Sequence, residues 1–267
     1  MTPGGIVSAP TITKLPPGTP GAVLVTGSHG GLYPGRLAVL ARVRAVLFHD
    51  AGIGLDDAGI ASLAMLERCG IAAAAASHLT CRVGDPADMM ARGRLSHANR
   101  QAEACGLTPG MPCAEAVALL RDAPWREAQP DAAEEGRTVR PGGTRPLVLI
   151  DSAAMVDPVA DGGAVVVTGS HGGLVGGDPA MALRADAFAA AFNDAGIGIE
   201  HAGIQRLPAL DARGIAGITV AAASARIGSG CSTFKDGVIS AVNNRTASLG
   251  AKVGDHARDV LLAWTRH

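Results

Sequence analysis

Two stretches of this 267-residue chain are each written twice. Thr-Gly-Ser-His-Gly-Gly-Leu fills Thr26–Leu32 and again Thr168–Leu174, an offset of 142 residues. Asp-Ala-Gly-Ile-Gly fills Asp50–Gly54 and again Asp194–Gly198, an offset of 144. The difference marks a two-residue insertion in the second copy, near Gly176–Gly177. At the larger offset the match runs on. Ala58-Gly59-Ile60 pairs with Ala202-Gly203-Ile204, Arg82-Val83-Gly84 with Arg226-Ile227-Gly228, Ser96 with Ser240 and Asn99 with Asn243. A co-linear series of this length reads as an internal duplication, which must be found before any element is assigned.

The repeat divides the chain into a first copy over residues 1–121, a linker over 122–145 rich in Pro, Gly and charge, and a second copy over 146–267. Each copy is of ordinary small-domain size. Within the first, Ala22–Thr26 and Ala45–His49 are short apolar runs that read as buried strands. GSHGG reads as a tight turn leading into a helix near Arg36–Arg42. Asp56 or Asp57 stands where a carboxylate caps a helix running to Arg68, and Gly70 stops it. Ile71–Ser77 is a third strand, Ala87–Ala104 a helix and Cys113–Leu120 a last helix. The second copy reads alike; its Ala189–Asn193 is assigned to strand only through its partner. Alternating strands and helices predict an α/β fold of two tandem three-layer α/β/α halves, Rossmann-like and mainly parallel, related by pseudo-twofold symmetry.

Composition narrows the function. With 48% hydrophobic and 18% charged residues the chain is globular. A formal charge of −1 and only four Phe, two Trp and one Tyr argue against a nucleic-acid partner. No apolar run is long enough for a membrane helix, and no basic-then-apolar leader opens the chain. The five Cys form no CxxC, so they read as reduced thiols and the expected compartment is the cytoplasm. A homo-oligomer is expected on general grounds.

Parallel sheets bind ligands beyond the carboxyl ends of their strands. The repeated polar residues fall there: Ser28, His29, Asp50 and Arg82 in one copy, Ser170, His171, Asp194 and Arg226 in the other. Three chemistries fit. Ser28 or Ser170 as nucleophile or oxyanion donor, His29 or His171 as acid/base, and Asp50 and Asp194 as orienters make a hydrolase of an amide, lactam or ester. Gly30, Gly31, Gly172 and Gly173 with Arg82 and Arg226 would hold a small polar or anionic substrate. Alternatively, His29, Asp50, His171 and Asp194 would hold a divalent metal for lyase or isomerase chemistry, though no compact metal motif is present and no cofactor is otherwise expected. The third reading is a non-catalytic anion-binding module.

Between the copies His49 faces Asn193 and Asp57 faces His201, so the halves are not interchangeable and one shared site is expected. No cysteine is matched, since Cys81 faces Ala225 and Cys231 faces Ala87, which argues against paired-thiol chemistry. His78 and His97 have no counterpart and read as structural. Asn99 and Ser96 fall inside the expected helix, where packing is their expected role.

Overall fold

Val23, Leu24 and Val25 are all fully buried, so the strand that carries them has no solvent face. Such a strand belongs inside a parallel sheet with helices on both sides. The computed structural model describes residues 5–130, 136–141 and 143–267 and has this architecture in two mostly parallel mixed sheets, of five and six strands. The chain falls into two units. The first lies within Met1–Gly52, Ala58–Glu134 and Gly198–Glu200, and the second within Ile53–Asp57, Glu135–Ile197 and His201–His267.

The first unit contains β1 (Ile6–Ala9), β2 (Val23–His29), α1 (Leu32–Leu40), β3 (Ala45–His49), α2 (Ser62–Arg68), β4 (Ala72–Ala76), α3 (Pro86–Arg92), β5 (Leu95–Ala98), α4 (Arg100–Glu103) and α5 (Cys113–Leu120). Its strands lie in the order β1-β2-β3-β4-β5, parallel except β5. Leu24, Val46, Phe48 and Ala73 pack under α1 and α2. Val25, Leu47, Ala72 and Ala74 point the other way, under α3 and α5. Five alanines in a row favour helix by propensity. Ala72–Ala76 is nonetheless a strand, because every one of its residues is buried between β3 and β5. Burial on both faces overrides propensity.

The second unit contains β6 (Arg137–Arg140), β7 (Leu147–Ile150), β8 (Val165–His171), β9 (Ala189–Asn193), α6 (Arg206–Asp211), β10 (Ala216–Val220), α7 (Gly230–Lys235), β11 (Ile239–Val242), α8 (Asn244–Ser248) and α9 (Ala257–Trp264). The order is β11-β10-β9-β8-β7-β6; β7 to β10 are parallel, and β6 and β11 run antiparallel at the edges. Strand β6 lies in the stretch read above as a linker, and Ala189–Asn193 is a strand as expected. Among the described residues no helix is long and apolar enough to cross a membrane.

Four expectations need correction. The helix expected over Ala87–Ala104 is broken by Gly93. It becomes α3, the antiparallel strand β5, and α4, whose N-cap is Asn99. Strand β2 does not stop at Thr26 but carries Gly27, Ser28 and His29, with its register slipping before His29. Asp56 and Asp57 open no α-helix: both have left-handed backbones (φ +55° and +54°), and α2 starts only at Ser62. No α-helix joins β8 to β9 either; the Gly176-Gly177-Asp178-Pro179 run yields two short 3-10 turns. The buried Arg206 holds that segment. Its guanidinium donates to the carbonyls of His171, Gly173, Met181 and Ala182 and lies over the Phe192 ring.

Candidate functional site

At the carboxyl edge of the first sheet, β2, β3 and β4 end side by side and deliver His29, His49, Asp50 and His78 to one region. Two of these imidazoles are structural acceptors. His29 Nδ1 accepts the Gly31 N–H at 3.1 Å, so the ring proton sits on Nε2. Burial, then the neighbouring His49, holds its pKa down to about 4. His49 is 1% exposed. Its Nδ1 accepts the Ala51 N–H at 3.0 Å, and its Nε2 donates to the Cys81 carbonyl at 3.0 Å. Burial lowers its pKa too, against the opposing pull of Asp50. Both rings are neutral at pH 7.

Asp50 and His78 are arranged differently. One oxygen, Asp50 Oδ1, accepts the Gly52 N–H at 3.1 Å and the His78 N–H at 2.9 Å, and meets His78 Nδ1 at 3.0 Å. Burial pushes the Asp50 carboxyl up, but the hydrogen bonds from the His78 ring and amide, with the nearby imidazoles, outweigh it, leaving the carboxyl below its usual value. A carboxylate accepts only, so Nδ1 of His78 carries the proton and the lone pair of the neutral ring is on Nε2. Asp50 is almost wholly buried, while the His78 side chain keeps 19% exposure. A buried carboxylate thus fixes the tautomer of a solvent-reachable imidazole, the arrangement a general base requires.

The other candidates of this unit are committed within the fold. Ser28 Oγ accepts the Ile12 N–H at 3.0 Å. Gly30 donates its N–H to the His49 carbonyl and Gly31 to His29, so both glycine amides are engaged internally. Arg82 is gripped by Asp85, by Asp88 and by Glu200 at 2.9 Å, and Arg92 shares Asp88 and Glu200 with it.

The second unit repeats the backbone pattern with different side chains. Ser170 Oγ accepts the Ala153 N–H at 2.8 Å, and His171 is buried. Asn193 stands where the first copy has His49 and makes the same two kinds of bond, Oδ1 from the Ala195 N–H and Nδ2 to the Ala225 carbonyl. Asp194 Oδ1 accepts the Gly196 and Ala222 N–H groups at 2.9 and 2.8 Å. Ala222 matches His78, so this carboxylate has no imidazole to orient. Gly172 donates to the Asn193 carbonyl, the Gly173 carbonyl accepts from Arg206, and Arg226 binds Asp56 at 2.6 Å.

Among the described residues no three His, Cys, Asp or Glu come together in a way that could hold a metal ion. His78, read above as structural, is set apart by two features of the sequence. It lies two residues beyond a buried strand, at the ligand-binding edge, and it breaks the repeat by placing an imidazole against an alanine. Comparison with family models, curated proteins and solved structures finds no match to this chain.

Proposed function

We propose that this chain is an enzyme of small polar metabolites that works by general acid–base catalysis at the carboxyl edge of the first sheet. The reaction we favour is hydrolysis of an amide, lactam or ester. The observation that carries this reading is the buried Asp50 oxygen bound to Nδ1 of the partly exposed His78. In the reaction His78 Nε2 takes a proton from the attacking water and returns it to the leaving nitrogen or oxygen. The Asp50 carboxylate holds the ring's aim and stabilises the imidazolium that forms in between.

We further propose that the two units are copies of one ancestral unit, related by pseudo-twofold symmetry, of which the second keeps only the structural part of this corner. Asp194 ties down two backbone N–H groups as Asp50 does, but it faces Ala222. Five cysteines without a disulfide fit a reducing compartment such as the cytoplasm.

The test is a turnover screen over small amides, lactams and esters, followed by variants on whichever substrate responds. His78→Ala and Asp50→Asn are expected to lower kcat by about 100-fold or more. Asp194→Asn makes the matched change where there is no imidazole, and should leave kcat within a few-fold. A His78→Ala protein that turns over at the parental rate would overturn the reading.

A further inference from the structure

The two Asp-Ala-Gly-Ile-Gly turns hold an unusual amount of left-handed backbone. In the second, which continues beyond Gly198 to His201, Ala195, Ile197, Glu200 and His201 have φ of +50°, +62°, +55° and +56°, and Gly196 and Gly198 are left-handed as well. For residues with a side chain, and above all a β-branched isoleucine, this conformation costs about 1–3 kcal/mol each and persists only where the surroundings enforce it. The last part of this turn, Gly198–Glu200, belongs to the first unit, and there it lies on the backbone of His78.

The contact is close and directional. The Ile199 N–H donates to the His78 carbonyl at 2.8 Å. A Cβ on Gly198 would stand 2.9 Å from that carbonyl oxygen and 3.6 Å from the His78 Cβ, so no side chain fits there without moving His78. Glu200, one residue on, splits its carboxylate between Arg82 at 2.9 Å and Arg92 at 2.7 Å. His78 is therefore held from two directions. Asp50 holds its amide and ring, and Gly198–Glu200 holds its carbonyl.

We infer that Gly198–Glu200 is a positioning element for His78: its backbone contact, anchored by Glu200 on Arg82 and Arg92, sets the line along which the ring meets Asp50. This rests on the proposed role of His78 as the base. The second unit supplies a matched control. There Gly54, with φ of +76°, lies 2.9 Å from the Ala222 carbonyl by the same measure, and the Leu55 N–H donates to that carbonyl at 2.9 Å. The clasp is the same, but it holds an alanine.

The experiment reads the ring itself and needs no substrate. Protein labelled with 15N-histidine gives the ring nitrogen shifts of all eight histidines, with His78 assigned by its loss in His78→Ala. The wild type should show an Nδ1–H tautomer for His78, and Asp50→Ala, which removes the accepting oxygen, should abolish that preference. Gly198→Ala should move the His78 nitrogen shifts toward the Asp50→Ala pattern, and Glu200→Gln should move them the same way by less. Gly54→Ala carries comparable backbone strain and should leave them unmoved. A folded Gly198→Ala protein with wild-type His78 shifts overturns the positioning role while leaving the dyad standing. If Gly198→Ala fails to fold, Glu200→Gln decides, and unchanged His78 shifts overturn the role. A wild-type His78 without the Nδ1–H tautomer overturns both the dyad and its positioning.

Discussion

Acid should destabilise the first unit through His29, by an amount the geometry sets. The ring is 8% exposed, and its Nδ1 is occupied by the Gly31 N–H. Its pKa falls from 6.5 to about 4 on folding. Above pH 6.5 the ring is neutral in both the folded and the unfolded chain, and the two states bind protons equally. Between pH 6.5 and 4 the unfolded chain takes up a proton that the folded chain refuses, so stability falls as the pH falls. At about 1.4 kcal/mol for each tenfold change in proton concentration, the loss at pH 4 is about 3 kcal/mol from this residue. His29→Asn removes the titration and keeps an oxygen in the place of Nδ1 to accept the Gly31 N–H. The assay is urea unfolding at pH 7 and pH 4, followed by tryptophan fluorescence in a Trp264→Phe background. Trp125 then reports the first unit, where its indole N–H donates to the Arg42 carbonyl. The parent should lose about 3 kcal/mol more than His29→Asn between the two pH values. Equal losses would refute the reasoning, because the ring would then be protonated inside the fold without cost.

Two further substitutions test the buried polar ties near the strand ends. His49→Ala leaves the Ala51 N–H and the Cys81 carbonyl without partners and should cost about 2–6 kcal/mol in urea unfolding. His49→Asn should cost clearly less, since Asn193 makes both kinds of bond at the matching position of the second unit; equal costs would contradict the hydrogen-bond account. Asn99 accepts from Ala73 and Ala102 and donates to Leu63 and Ile71, so Asn99→Ala should cost at least about 3 kcal/mol. A thermal melt within 2 °C of the parent would show that these bonds carry little.

Much of the first sheet was legible because its signals are local. Ala45–His49 and Cys113–Leu120 appear within the bounds read from hydrophobic runs and stop residues, and Ala189–Asn193 was placed correctly by its partner in the repeat. The segment from Ala87 to Ala104 was misread because alanine, methionine and arginine favour helix wherever they stand. The chain leaves α3 at Gly93 through an extended backbone where no side chain fits, since a Cβ would strike the Met89 carbonyl and the Cys113 sulfur, and what restarts the helix is the Asn99 cap. Both residues were visible, but their force depends on neighbours brought from elsewhere in the chain.

The site divides along the same line. Sequence alone indicated that the polar residues gather at carboxyl strand ends, because a mainly parallel direction follows from strands that alternate with helices. It could not rank them, since Ser28, His29, Asp50 and Arg82 look equally available until their partners are known. Tertiary structure decided that the Ile12 N–H occupies Ser28, that the Gly31 N–H occupies His29, and that three carboxylates occupy Arg82. It also decided that Asp50 meets His78, a residue 28 positions away. Hydrogen bonding saturates, so a polar residue's role is set by which partners reach it first, and that is a property of the folded chain.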